Sequence, residues 1–412
     1  VGIQEFQETD KEMMMKAAII GASKEALHTI EKAHEHGITV VALDGDPGAA
    51  GLKTADKSIV ADISNEETVL RVLRQEKPDF VLTVPIGRYL TTIGTVNDTL
   101  GLPGISREMA DLCTDKFRFH KKLNENNLRR CRCYRVEEGR ILGTEGTVFG
   151  TEGSGIEDLP LTLPAVLKPR FGSGSRGIHM ITQKEQLTRA VEMVSGEQYV
   201  LEECIAGEEY GVDGAMIQGK FQMVLLRKKE NTPLPFRQAV GYFSVPPSDG
   251  FWQQVYNYMK KAVSCLGLLE CLLHADIIKG AEGPFIIELS ARPSGHNLHN
   301  LFTPLCTGVD MAEEYIKYRM GNSYSFHPEK TKSMMIHYFD MEGTVRSVPG
   351  GEQAARAVQA ELAAWECNIR QGEKLGPVSD GHSLMERGYF VLEGGGDSHL
   401  LNQAQIVKNM FF

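Results

Sequence analysis

Cysteine is sparse and unpatterned in this chain. Eight cysteines are spread over 412 residues with no C-x-x-C pair, which excludes a disulfide framework and a four-cysteine zinc site and points to reduced thiols in the cytoplasm. Cys131 and Cys133 fall on one face of a strand, but no second pair completes a tetrahedral set. No run approaches the ~20 apolar residues that a bilayer span needs. The opening "VGIQEFQETDKE" is polar and acidic, unlike a signal peptide, and reads as an extension ahead of regular structure. Positive charge is also short. Lysine and arginine number 44 against 54 acids, a formal charge of −10, which argues against a nucleic-acid partner. The most basic stretch, "NNLRRCRCYR" at 126–135, reads as a solvated helix end leading into a strand. No proline-rich linker occurs, and 42% hydrophobic with 24% charged residues is ordinary globular composition.

What is present begins with alternating strands and helices. "KAAIIGAS" from Lys16, a helical stretch to His36 and "GITVVALDGDP" form a strand–helix–strand unit, followed by the helix "NEETVLRVLRQEK" and the strand "DFVLTV" at 79–84. Residues 15–110 therefore predict a small Rossmann-like α/β domain. Its loop "GASKEA" has one glycine where a dinucleotide fingerprint needs three, so a non-binding or substrate-facing sheet is expected despite Asp44 at the ribose position. Residues 107–128 read as helix with a break near Thr114 and Asp115, then "CRCYRV" as a strand. The tetrad GTEG occurs twice between 143 and 153 and reads as an irregular hairpin. Hairpin strands and helices at 183–194 and 251–266 follow. The tail from 326 predicts an α+β cap, with strands "SMMIHYFD" and "GYFVLEG" flanking a helix over 352–366.

Three groups of residues carry chemistry. Lys116 in "CTDKFRF" and Lys168 in "PAVLKP" sit at element edges, and a lysine closing an apolar run calls for an anion; Lys168 alone reads equally well as a snorkelling surface lysine. The loop "FGSGSRG" frees backbone N–H groups through its glycines and adds Ser173 and Ser175, as a flap over phosphates would. "LHADIIKGAEGPFIIELSARPSG" places Asp276 and Glu288 opposite each other in a hairpin, a pair that repels unless a cation such as Mg2+ (or Mn2+) lies between them. Arg292 follows where the chain leaves the strand.

In this order the motifs resemble the ATP-grasp superfamily of carboxylate–amine ligases, and are similar to the L-amino-acid ligases that form dipeptides. The likeness rests on "DK" at 115–116, "VLKP" with its flap, "LEECIAGEEYGVD" at 201–213 and "IIELSARPSG" at 286–295. It implies a mixed α/β and α+β protein: an extension over 1–14, a pre-ATP-grasp domain over 15–110, a nucleotide-binding subdomain with the flap over 111–205, a second ATP-grasp subdomain with the metal site over 206–325, and the cap over 326–412. It also implies that Lys116, Lys168, Ser173, Gly174 and Ser175 hold ATP phosphates. Glu202 and the backbone of Glu203 to Ile205 would meet the adenine edge, Glu209 the ribose, and Asp276 with Glu288 the magnesium. Arg292 and the N–H of Gly295 would face the acyl phosphate and the tetrahedral intermediate. Two departures stand out. Ser290 takes the place of a common asparagine ligand, and 231–247 lacks the glutamate and histidine of other dipeptide ligases.

The implied reaction activates a carboxylate as an acyl phosphate and passes it to an amine, releasing ADP and phosphate. Arg237, Tyr242, Ser294 and His296 are the expected substrate contacts, and the acidic balance leaves room for a cationic first amino acid such as arginine. Other ATP-grasp ligases or carboxylases, and a nucleotide-binding module without catalysis, are the alternatives. A zinc site from His274, His296, His299 and Cys306 is a third. The expected partners are small amino acids, with neither nucleic acid nor membrane, and a homodimer is the default.

Overall fold

The computed structural model describes residues 15–143, 147–150, 155–172, 177–194, 196–233, 237–378 and 380–412. The extension and the flap residues Ser173, Gly174 and Ser175 lie outside the described residues, as do most of the two GTEG tetrads.

The first sheet is parallel, in the order β3 (Lys57–Val60), β2 (Thr39–Asp44), β1 (Lys16–Ile20), β4 (Phe80–Val81). Ala17 to Ile20 and Val40 to Leu43 are all buried, as expected of central parallel strands covered on both faces. The predicted strand at 79–84 pairs only over Phe80–Val81. Leu82 adds one bond, its N–H reaching Ala18 O at 2.9 Å, and the chain then leaves the sheet toward Ile86–Arg88. Asp44 is engaged within its own domain. Its Oδ2 accepts the Ala22 N–H at 2.6 Å and its Oδ1 the Asp46 N–H at 2.9 Å, so it braces the loop after β1. Gly51 closes that loop further, its N–H donating to Ala22 O at 2.7 Å. A Cβ on Gly51 would stand 2.8 Å from the same oxygen.

The break at Thr114 and Asp115 is a double cap. One helix, Arg107–Thr114, ends at Asp115, whose Oδ1 accepts the N–H groups of Phe117 and Arg118 to start the next, Lys116–Glu125. The second sheet is antiparallel, in the order β7 (Val148–Gly150), β6 (Arg140–Leu142), β5 (Cys133–Glu137), β10 (Tyr199–Glu203), β8 (Ala165–Pro169), β9 (His179–Ile181). The helix Lys184–Met193 packs Leu187, Ala190 and Val191 on its apolar face.

Between Glu203 and Glu208 the chain changes sheets. The third, eight-stranded sheet runs β15 (Gly283–Ser290), β14 (Cys271–Gly280), β11 (Glu208–Ile217), β12 (Lys220–Asn231), β13 (Ala239–Val245), β16 (Met334–Tyr338) and then two strands of the tail. A short pair, β17 (Gly343–Thr344) with β19 (Lys374–Leu375), stands apart. The helix predicted over 352–366 is corrected: it spans only Gly351–Ala357, and Glu361–Cys367 is strand β18, paired with β20 (Gly388–Glu393). Packing on both faces decides this outcome. Leu362 and Trp365 join one core cluster and Ala363 and Ala364 the other, across a bulge between Leu362 and Ala364, and β-branched and aromatic neighbours on β20 and β16 favour pairing over a second helical turn. The tail thus continues the large sheet through β13 and β16.

Candidate active site

Lys116 owes its position to the double cap. Arg170, next to Pro169 at the end of β8, grips Asp115 with Nε–Oδ1 at 2.8 Å and Nη2–Oδ2 at 2.6 Å, and its carbonyl accepts the Lys116 N–H at 3.2 Å. The helix start is thereby locked to the flap's base, and Lys116 Nζ donates to Gly172 O at 2.7 Å. Burial lowers the lysine's pKa from its ordinary value, against the pull of Glu288; Lys168 adds to the lowering. Such a cation is short of counter-charge and suited to phosphate.

Lys168 and Glu202 face each other across β8 and β10, 5% and 4% exposed, in direct ion contact. Arg129 Nη2 lies 2.6 Å from Glu202 Oε2 and His120 Nδ1 2.9 Å from it. Burial opposes the charge on Glu202, but Lys168, His120 and Arg129 prevail and hold its carboxyl well below the usual range. Burial and Arg129 push His120 down to about 4. The Glu202 carboxylate is thus taken up by protein groups and holds Lys168. Glu203 braces the adjoining chain, accepting the N–H groups of Thr162 and Arg132 at 3.1 Å each. Its own N–H goes to Arg132 O and that of Cys204 to Pro164 O. Ile205 follows at the strand end, beside Gly280.

On the large sheet Asp276 and Glu288 are register partners, with a bulge immediately after Asp276. Asp276 also neighbours Gly211 on β11, and Gly211 neighbours Arg227 on β12. The absent side chain matters, since a Cβ on Gly211 would stand 3.2 Å from the Arg227 guanidinium. Lys229 Nζ lies 2.8 Å from Asp276 Oδ2. Burial opposes charge on Asp276, yet Lys229 and His274 outweigh it and lower its pKa. Arg227, buried, pairs with Asp213 at 2.8 Å, and its guanidinium lies 5.1 Å from the Tyr242 ring centre. Glu209 pairs with Arg237 at 2.6 Å, the arginine adopting φ +46°.

One cavity brings Lys116 and Gly172 together with Glu288 and Arg292, and Arg88 and Ser290 also line it; Lys168 and Asp276 stand outside its wall. Arg292 donates from Nη1 to Pro293 O at 2.8 Å, and its buried Nε has no protein partner. Burial lowers its pKa, resisted first by Glu288 and then by Glu25. Ser294 Oγ, His299 Nε2 and Asn300 Oδ1 are likewise buried without protein partners. Gly295 lies beside Pro85 and Glu25 of the first domain, so that domain faces the site through two loops.

The structure does not assemble the zinc set. His274 Nδ1 faces Arg292 O at 3.3 Å, His299 Nδ1 contacts Ser294 O, and Cys306 is buried elsewhere. Among the described residues the one cluster with metal-ligand spacing is His120, Cys133 and Glu202, and Arg129 with Lys168 already supplies its positive charge. The carboxylate pair at 276 and 288, by contrast, is the hard oxygen donor set that Mg2+ prefers. Sequence reasoning missed Lys229, Arg129 and Glu25. Arg227 and Lys229 could have been found, as two cations at strand period following the apolar "MVLL".

Residues 161–299 match the ATP-grasp domain. A formate-dependent phosphoribosylglycinamide formyltransferase of Nitratiruptor is 25% identical over 56% of this chain and 55% of its own. Dapdiamide A synthase of Enterobacter agglomerans is 26% identical over 32% of this chain and 34% of its own. The chain spans about half the length of the first curated relatives it matches. Among solved structures, the L-amino acid ligase from Bacillus licheniformis superposes with a TM-score of 0.75 at 20% identity, covering 96% of both chains. The biotin carboxylase domain of a Hydrogenobacter thermophilus 2-oxoglutarate carboxylase, in complex with MgADP and bicarbonate, gives 0.65 at 17% identity over 97% of this chain and 91% of its own. At such identities these structures establish the fold. The domain match over residues 161–299 agrees with that fold, which is the ATP-grasp fold.

Proposed function

We propose that this protein is an ATP-dependent carboxylate–amine ligase that joins the carboxylate of one amino acid to the amine of another. The observation that carries the reading is the convergence of Lys116, Glu288 and Arg292 on one cavity beside Gly172, with Asp276 facing Glu288. Lys116 and Lys168 would hold the triphosphate, and Ser173, Gly174 and Ser175 are assigned to the same phosphates from the sequence. Magnesium between Asp276 and Glu288 would offset charge on the phosphoryl oxygens. The substrate carboxylate attacks the γ-phosphorus, and ADP leaves with the acyl phosphate formed. The amine then adds to the acyl carbon, Arg292 and the Gly295 N–H hold the oxyanion, and phosphate departs. No protein nucleophile is required, so positioning of two substrates supplies most of the acceleration.

Arg237, Tyr242, Ser294 and His296 are assigned to the substrates. Small-molecule partners and free cysteines fit a cytoplasmic enzyme, and among the described residues no helix is long and apolar enough to cross a membrane. The test is ATP-dependent phosphate release across single and paired amino acids, arginine included, with bicarbonate and phosphoribosylamine as separate arms. Product mass is read alongside. A dipeptide mass supports the reading; release only with bicarbonate or the ribosylamine overturns it in favour of a carboxylase or a purine-type ligase.

A further inference from the structure

The chain leaves β15 through Arg292 and enters a turn in which two consecutive non-glycine residues are left-handed, His296 at φ +63° and Asn297 at φ +57°. Two such residues in succession store backbone strain, which persists only where surrounding contacts over-determine it. The contacts come from outside the ATP-grasp strands. From the first domain, Glu25 in the loop after β1 accepts the His296 N–H at Oε1, 2.9 Å away. From β16, the buried Tyr338 hydroxyl donates to the His296 carbonyl at 2.6 Å. The peptide groups on both sides of His296 are thus held from opposite directions. The same Glu25 carboxylate lies 3.6 Å from where a Gly295 Cβ would be, and its charge favours the cationic form of Arg292.

We propose that Glu25 is a positioning residue: together with Tyr338 it clamps the Gly295–Asn297 turn in its strained form, and so sets the direction of the Gly295 N–H and of Arg292 toward the reacting carbonyl. The assignment of those two groups rests on the ligase reading above; the clamp itself does not. It also gives the first domain a role. What that domain contributes is a carboxylate fixed by its own loop, where Ser23 Oγ accepts the Glu25 N–H.

The experiment compares full-length Glu25→Ala, Glu25→Gln and Tyr338→Phe with the wild type. Hydrogen exchange of the peptide spanning 293–299 is the readout that needs no substrate. Glu25→Ala is expected to speed exchange there by about ten-fold or more, while Glu25→Gln, whose amide oxygen accepts the same bond, stays near wild type. In turnover, Glu25→Ala loses about 10²-fold in kcat with ATP affinity retained, and the glutamine variant recovers most of it. Tyr338→Phe reports the other half of the clamp if the alanine variant fails to fold, with the same rise in exchange and loss of kcat. Unchanged exchange in both Glu25→Ala and Tyr338→Phe overturns the clamp, as does a glutamine variant as impaired as alanine. Wild-type protein inert toward every amino-acid pair, with exchange behaving as expected, sinks the ligase reading and leaves the clamp standing.

Discussion

Asp276 stands directly opposite Glu288 across the β14–β15 hairpin, and Lys229 Nζ sits 2.8 Å from the Asp276 carboxylate. Lys229 is the cation in contact with Asp276, whereas Glu288 acts on Lys116 and Arg292. Replacing Lys229 by methionine removes the main compensation at Asp276 and leaves its repulsion with Glu288 less relieved. Lys229→Met is expected to melt below wild type without divalent ions and to gain more from magnesium than wild type does. Equal magnesium responses in the two proteins, read by thermal denaturation, would place the cation elsewhere.

Glu202 holds Arg129 and Lys168 in a buried cluster. Removing one partner of a buried pair leaves uncompensated charge and typically costs ~3–5 kcal/mol. Glu202→Gln keeps the shape and loses the charge, so its apo form should melt well below wild type. ATP, which brings negative charge to the freed Lys168, should restore more stability than it adds to wild type. A variant that melts with wild type would show the cluster to be dispensable.

How much of this was legible beforehand follows from what sets each feature. The helix break at Asp115 could be read because capping is local, as could the facing of Asp276 and Glu288, which a short hairpin turn enforces. Arg129 on Glu202 could not, because the two are 73 residues apart and meet only through packing of the helix Lys116–Glu125 against β5. Glu25 on His296 spans 271 residues and two sheets. Strand β18 was misread as helix because "ELAAWE" is rich in helix formers and tertiary pairing overrode that preference.

Buried histidines should govern acid stability: His120 and His274 are held neutral by burial, and so are His299 and His337. His299 and His337 are buried and bond backbone carbonyls through Nδ1. Burial pushes each down to about 4. Their folded pKa lies below the unfolded value of about 6.5, so the unfolded chain binds more protons between those limits. Stability contributed by the neutral rings is full above pH 6.5 and is lost as pH falls toward 4, at about 1.4 kcal/mol per pH unit for each ring. His337→Phe keeps the stacking on Phe390 and should flatten the slope by one proton. Denaturant titrations across that range check it; a flat profile in wild type would mean these rings are charged in the fold.

Arg292 gives the sharpest separation of binding from chemistry. Its guanidinium leans on Pro293 O through Nη1, leaves Nε buried without a protein partner, and lines the cavity with Lys116 and Glu288. In the proposed reaction Lys116 and Lys168 hold the ATP phosphates, so nucleotide affinity should not need Arg292. The oxyanion of the proposed tetrahedral intermediate would need it, and loss of one such donor typically lowers turnover by ~10²–10³-fold. Arg292→Ala is therefore expected to bind ATP as wild type does while product formation falls by that factor. Arg292→Lys, which keeps the charge but not the planar fork, should recover only part of it. Nucleotide binding followed by calorimetry beside single-turnover product formation decides the matter. A matched loss in both would assign Arg292 to the triphosphate, and unchanged turnover would remove it from the reaction.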